Sequence, residues 1–448
     1  MIRKLRFVHA ADLHLDSPFK GLVHIPDTLR EQVIASTFQA WDQLVELAIQ
    51  KQADAVLLCG DMHDSAHRSL RAQWRLQQGL ERLCNAGVRV FMIHGNHDPL
   101  TSDNKWNWPE GVTVMGTEQP DSHFIQNRHG ERVAVVTGMS YGSQAVYANL
   151  ASLYPSCPEK EAERNKTDAE YNDCAPTMSK LFRIGMLHGT LDGREEHDPY
   201  APCSKQELLA KGYHYWALGH IHKREIANEY PHMVYPGNIQ GRHVKESGEK
   251  GAYVVDVEQD DRISMQFHPL DMVRWLDCKI SIEAVGSRQE MSDLLLTTLD
   301  EMREAAEGRT TLARITFFGR TSIHHELTSG TLLKELEETW KEAEEERLEH
   351  QESLVWPVQL RVDSRAVANI EAWRESEHFI GDLVRMAELH AEVGNGMQSL
   401  IDEAMGPMLQ QRRLVQWLEE QPESTRAAWL EEAMHLVVGM LEGETDKL

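Results

Sequence analysis

Val88-Arg89-Val90-Phe91-Met92-Ile93-His94-Gly95-Asn96-His97-Asp98 is the stretch that decides how the chain is read. The apolar run Val88 to His94 has the length and composition of a buried β-strand. Gly95 then permits a sharp turn, and Asn96, His97 and Asp98 project from the carboxyl end of the strand. That end is where ligands sit in open α/β sheets. Four similar clusters recur at long intervals: Asp12-Leu13-His14, Gly60-Asp61, His188-Gly189 and Gly219-His220-Ile221-His222.

Upstream, Leu5 to Ala11 reads as a strand ending at Asp12, and Ala53 to Cys59 as one ending at Gly60-Asp61. Between them, Val33, Ile34, Phe38, Trp41, Leu44, Val45 and Ala48 recur near the helical period, which predicts a helix over Leu29 to Gln50. A second helix is expected from Ser69 to Asn85. Strand–helix–strand alternation implies a partly parallel sheet with right-handed crossovers. Downstream, Val112 to Met115, Arg132 to Met139, Leu181 to Leu187, Tyr215 to Leu218, Val234 to Asn238 and Gly251 to Val257 supply a second set of strands, with a short helix at Ser204 to Lys211. The polar, proline-bearing stretch Pro155 to Thr177 is expected to be a surface loop or lid.

A boundary is expected near His268-Pro269. Residues 1–270 then form a first domain and 271–365 a small α+β domain, with strands at Trp275 to Ile282, Leu312 to Phe318 and Val358 to Val362 and helices at Gln289 to Glu307 and Thr321 to Gln351. Residues 366–448 read as helices over about 366–391, 396–411 and 424–441.

The 448-residue chain is 41% hydrophobic, enough for a sizeable core, and has no apolar run of the roughly 20 residues needed to span a bilayer. The amino-terminus enters a strand pattern without a signal-peptide core, and the six cysteines lack CxxC spacing. Both suggest reduced thiols in a cytoplasmic protein, with Cys157 and Cys174 the one pair placed to bridge. The net charge of −25 argues against a broad basic surface for nucleic acid. It is uneven, −7 over residues 1–270 and −18 over residues 271–448, which leaves room for a basic groove in the first part and suits a protein-binding tail in the second.

Asp12, His14, Asp61, Asn96, His188, His220 and His222 offer carboxylate, imidazole and amide groups without a thiolate. Such mixed donors suit Mn, Fe, Zn or Mg. In an extended chain Asp12 and His14 lie on one side, as do His220 and His222. Seven ligands suit two ions with a bridging carboxylate, and two ions ~3.5–4 Å apart can grip a phosphate for in-line hydrolysis.

These five clusters resemble the calcineurin-like metallophosphoesterase superfamily. His9-Ala10-Ala11-Asp12-Leu13-His14-Leu15 and Tyr215-Trp216-Ala217-Leu218-Gly219-His220-Ile221-His222 resemble its SbcD-like DNA-repair exonuclease branch. Tyr200-Ala201-Pro202-Cys203-Ser204 and Pro236-Gly237-Asn238-Ile239-Gln240-Gly241-Arg242-His243 are most similar to the YhaO-like exonucleases. The resemblance implies a four-layer α/β sandwich of two mixed β-sheets flanked by helices, with 271–365 as a capping domain and 366–448 as a partner-binding region. It implies one metal on Asp12, His14, Asp61 and His222, and another on Asp61, Asn96, His188 and His220, with Asp61 bridging. His97 would face the scissile phosphate, oriented by Asp98. Two Mn ions are typical of the branch, with Fe or Zn as alternatives. DNA is the implied substrate, in repair, with a homodimer and an SMC-type coiled-coil ATPase as partner. The same site would serve a phosphodiesterase or phosphatase acting on small nucleotides or phosphoproteins, and a metal-bound scaffold for the ATPase is the non-enzymatic alternative. One departure concerns the position three residues after Asp61. Nuclease relatives often carry a histidine there; this chain has Asp64, with His63 one place earlier and His67 as a possible substitute. His197, His232, Arg242 and His243 are further candidates to touch the site.

Overall fold

A computed structural model describes residues 3–22, 25–64, 69–101, 107–156, 181–193, 198–350, 352–367 and 370–392, and scattered positions between 403 and 438. The expected lid and the helix over 396–411 lie wholly or almost wholly outside the described residues, as do His67, His197, Cys157 and Cys174. The four described cysteines are free thiols. None of the described helices is long and apolar enough to cross a membrane.

The first sheet contains β1 (Arg3–Ala10), β2 (Ala55–Cys59), β3 (Arg89–Ile93) and β4 (Val112–Val114), paired in parallel in that order. The second sheet is built on β5 (Asp121–Gln126), β6 (Arg132–Gly138), β7 (Phe182–His188), β8 (Tyr215–Gly219), β9 (Glu225–Glu229) and β10 (His232–Tyr235), in the order β5-β6-β7-β8-β10-β9. The chain then returns to the first sheet as β11 (Gly251–Glu258), antiparallel to β1, and β12 (Ile263–Pro269), antiparallel to β11. Both sheets are therefore six-stranded and mixed.

Helices α1 (Asp27–Gln50) and α2 (Leu70–Asn85) cover the outer face of the first sheet. There Phe38, Trp41, Leu44, Leu76 and Leu80 bury against Val8, Val56, Leu58 and Val90. Ser69 caps α2 by accepting the Ala72 amide, so the helix begins one residue later than expected. The two sheets face each other across Phe7, Leu57, Phe91, Phe182, Ile184, Ala217 and Val255, the alternate residues of strands whose other faces meet helices or loops. On the far side of the second sheet, Leu187, Trp216 and Leu218 pack with Tyr154 and with Leu208 of α3 (Lys205–Lys211), whose Ser204 and Glu207 form a capping box. This is the expected sandwich. The strands β9 and β12, not evident in the sequence, are edge strands with alternating rather than continuous burial.

The remaining elements are β13 (Val273–Ser281), α4 (Arg288–Ala305), β14 (Thr310–Thr321), α5 (His324–Thr328), α6 (Thr331–Glu349), β15 (Val355–Ala366), α7 (Ile370–Arg374) and α8 (Phe379–Glu392). The last three strands pair in the order β13-β14-β15. The chain divides into two compact units: Met1–Asp277 with Asp300–Arg314 and Lys341–Val358, and Cys278–Leu299 with Ile315–Trp340 and Gln359–Leu448. In the first, Leu29, Val33, Val244, Trp275, Leu312 and Trp356 share one core.

Candidate metal centre

Five buried strands, β1, β2, β3, β7 and β8, run parallel to a neighbour, and their carboxyl ends carry the five clusters. The glycines that mark them are required by space. A Cβ on Gly60 would lie 2.2 Å from His188 Nδ1, on Gly95 2.3 Å from Asp61 Oδ1, and on Gly219 1.8 Å from the Cys59 carbonyl oxygen. Gly95 thus serves less as a turn than as room for the Asp61 carboxylate.

Asp12, His14, Asp61 and His220 are non-glycine residues with positive φ, at 52°, 44°, 56° and 95°. Such backbone is costly for residues with side chains and gathers at functional sites. It also corrects the expected route to convergence. β1 ends at Ala10, so Asp12 and His14 meet through left-handed turns, not through the pleat of an extended strand. These turns are anchored to the neighbouring strand end, with the Asp12, His14 and Leu15 amides donating to the Gly60, Asp61 and Met62 carbonyls.

Asp12, His14 and His222 present ligand atoms all within 4.8 Å of one another, and so do Asp12, Asp61 and His188. Asp12 belongs to both groups, and Asp61 Oδ2 lies 3.8 Å from His14 Nε2 and 3.4 Å from His188 Nε2. Asn96 Oδ1 is 3.0 Å from His188 Nε2. His220 stands against the His188 ring at 5.3 Å between centroids, and its amide donates to both Asp12 oxygens. All seven predicted residues are thus brought together, although Asn96 and His220 fall outside the two tight triads.

The far ring nitrogens are held by acceptors that fix the tautomers. His188 Nδ1 faces the Cys59 carbonyl at 2.9 Å, His220 Nε2 the Asp198 carbonyl at 3.2 Å, and His222 Nδ1 a Glu246 oxygen at 2.6 Å. Each must donate there, so in the neutral ring the other nitrogen carries a lone pair toward the cluster. His14 Nε2 and His222 Nε2 approach to 3.1 Å, the spacing of two ligands about 2.1 Å from one ion at roughly a right angle. Two carboxylates, no more than 1% exposed, and converging imidazole lone pairs fit divalent cations.

The electrostatics match. Burial raises the Asp12 carboxyl to about 6, partly offset by His188 and His222. Burial opposes ionisation of Asp61, but His188 and His14 outweigh it and hold its carboxyl well below the usual range. Burial would lower His188; the Asp61 carboxylate reverses this and brings it to about 9. His220, desolvated and beside His188, falls to about 3. In these surroundings a compensating positive charge is favoured between the two aspartates.

His97 is 42% exposed at the mouth of this buried cluster, its ring 4.9 Å from that of His14. The expectation that Asp98 orients it is corrected by the structure. The Asp98 carboxylate accepts the amides of Asp61, Met62 and Gly95 and sits 3.2 Å from His94 Nδ1. It ties two strand ends together and has no capacity left for His97. The carboxylate near His97 Nδ1 is that of Asp64, at 3.6 Å. His63 is instead largely buried, with Nδ1 unpartnered, and burial lowers its pKa. Arg242 lies 3.9 Å from Glu246 with Nε buried and unpartnered, and its charge helps hold His14 neutral. His243 Nδ1 accepts the Lys245 amide, and His232 lies in β10 beside the Tyr215 ring. Asp64, Glu246 and the Cys59 and Asp198 carbonyls were not picked out as partners of these histidines from the sequence. No periodicity marks them, and two of them act through backbone atoms.

The chain belongs to the calcineurin-like metallophosphoesterase family. Residues 5–224 match the calcineurin-like phosphoesterase model, and residues 275–365 match the middle domain of metallophosphoesterase YhaO. The chain is 37% identical over 378 residues to the uncharacterized metallophosphoesterase YhaO of Bacillus subtilis (strain 168), covering 83% of this chain and 84% of that one. It is 26% identical over 267 residues to the DNA double-strand break repair protein Mre11 of Aeropyrum pernix, covering 57% and 58%. To one of the subunits of nuclease SbcCD of Bacillus subtilis (strain 168) it is 23% identical over 286 residues, covering 58% and 68%.

Proposed function

We propose that this protein is a DNA exonuclease of repair, hydrolysing phosphodiester bonds at two divalent cations, Mn in the first instance. The observation that carries the proposal is the convergence of seven donor side chains from five strand ends beneath one exposed histidine. Asp12, His14, Asp61 and His222 would hold one cation, and Asp61, Asn96, His188 and His220 the other. Bound together, such a pair polarises a phosphate and makes an attacking hydroxide available near neutral pH. The chain's own groups do the rest. His97 faces the phosphate and stabilises or protonates the leaving oxygen through Nε2. Asp64, with an oxygen 3.6 Å from His97 Nδ1, draws that nitrogen electrostatically and so favours Nε2 facing outward. Arg242, whose charge acts on His14, and the exposed Lys223 and Lys245, next in sequence to His222 and Glu246, supply positive charge near the cluster despite the chain's overall acidity.

DNA as substrate is supported by the names of the Mre11 and SbcCD relatives. In the same reading the protein works in the cytoplasm as a homodimer, residues 271–365 form the second domain, and residues 366–448 engage an SMC-type ATPase. The test is digestion of end-labelled duplex DNA in Mn, run against a cyclic-dinucleotide panel, with wild type and His97→Ala. The expected result is DNA degradation by wild type and a loss of at least ~100-fold in His97→Ala with both ions retained. Turnover of the dinucleotides alone would replace the nuclease reading with that of a small-molecule phosphodiesterase.

A further inference from the structure

Glu246 ends the loop Gly241-Arg242-His243-Val244-Lys245-Glu246, which is pinned to the core where Trp275 Nε1 donates to the Gly241 carbonyl at 3.0 Å. Its side chain is only 17% exposed. One oxygen meets His222 Nδ1 at 2.6 Å; the other accepts the Arg242 amide at 2.7 Å and Asn238 Nδ2 at 3.0 Å. With two donors already on the other oxygen, the oxygen facing His222 accepts, so Nδ1 carries the hydrogen and the neutral ring keeps its lone pair on Nε2, toward His14.

We propose that Glu246 is the positioning residue of one cation: it locks His222 in the ligating tautomer and thereby sets occupancy of the position shared with Asp12 and His14. This rests on the reading that His222 is a ligand. The effect is selective, because the Asp61–Asn96–His188 position is oriented by a different acceptor, the Cys59 carbonyl. Replacing Glu246 with glutamine keeps the shape and retains an acceptor for Arg242 and Asn238. It turns an amide N–H₂ toward His222 Nδ1, which favours the tautomer with hydrogen on Nε2.

The test is titration of the full-length, metal-stripped chain with Mn²⁺, following bound metal and the electron paramagnetic resonance signal. In Glu246→Gln one of the two ions is expected to bind ~10–100-fold more weakly. The exchange-coupled spectrum of the pair should give way to that of an isolated ion, while the second ion binds as in wild type. Two ions at wild-type affinity with the coupled spectrum would overturn the proposal. His222→Ala separates the two levels of inference. If it loses one ion while Glu246→Gln does not, only the role of Glu246 fails; if it too retains both, the ligand assignment fails. Should Glu246→Gln not fold, Glu246→Asp withdraws the acceptor by one methylene and is judged by the same two outcomes.

Discussion

At the level of single residues, the site divides between buried groups and one histidine at its mouth. Asp12, Asp61, His14 and His188 are buried to within 1% of completely, whereas the His97 side chain is 42% exposed beside Asp64. In this chain an aspartate stands where nuclease relatives often place a second histidine. A carboxylate cannot donate to phosphate, but it can hold an imidazole, and that is the role its position suits. Asp64→Asn is expected to lower kcat about tenfold, with KM changed less than about threefold and both ions retained. Combined with His97→Ala it should add almost nothing, since residues that act as a unit are not additive. Steady-state kinetics on the single and double variants decide this. Equal, independent losses would show that Asp64 acts by some other route.

At the level of elements, what matters is how closely strand ends approach. The carbonyl of Cys59 at the end of β2 passes Gly219 at the end of β8 so tightly that a methyl group would overlap it. Since that obstacle is backbone, accommodation requires the strands to part. Gly219→Ala is therefore expected to cost more than about 2 kcal/mol, within the range for forced overpacking. It should also weaken metal binding through His188, His220 and His222, which flank the contact. Urea unfolding and Mn²⁺ titration provide the check, and wild-type values in both would mean that the close approach is not a real constraint. The Asp98 carboxylate works at this level too. By gathering amides from the β2 and β3 ends it fixes the distance between Asp61 and Asn96, so a residue next to the reactive histidine in sequence is structural in effect.

For the whole molecule the consequence is acid sensitivity. His9 is completely buried, hydrogen-bonded to the Tyr215 hydroxyl at 3.0 Å, and burial drives it from 6.5 to about 3. Above pH 6.5 neither the folded nor the unfolded chain protonates it, and it has no effect. As pH falls from 6.5 toward 3 the unfolded chain takes up a proton that the folded chain refuses, so stability drops by up to about 1.4 kcal/mol per pH unit. His14 and His220, also lowered chiefly by burial, act in the same direction in the metal-free protein, while Asp12, raised to about 6, opposes them below that pH. Stability measured by urea unfolding between pH 7 and 4 should fall steeply, and His9→Gln should reduce the slope by about one proton. An unchanged slope would mean that His9 is charged in the fold. Cations bound at the cluster add stability by mass action, about 2.7 kcal/mol per ion at a hundredfold excess over Kd. Chelation should lower the midpoint at every pH.

What the sequence determined by itself was the class of fold and the set of donors. Strand–helix alternation, apolar runs of strand length and chemistry-bearing residues at each run's end are local facts, so β1, β2, β3, β7 and β8 and the seven side chains that meet at their ends were legible from one chain. The edge strands β9 and β12 were not, because half-buried strands lack the continuous apolar signal. The partners of the donors were decided only by tertiary structure. Asp98 adjoins His97 in sequence yet serves the amides of Asp61 and Gly95, while Glu246, 24 positions from His222, holds its ring. A hydrogen bond depends on where two groups meet in space, and left-handed turns at Asp12, His14, Asp61 and His220 redirect the chain at the points where proximity in sequence would otherwise have been a guide.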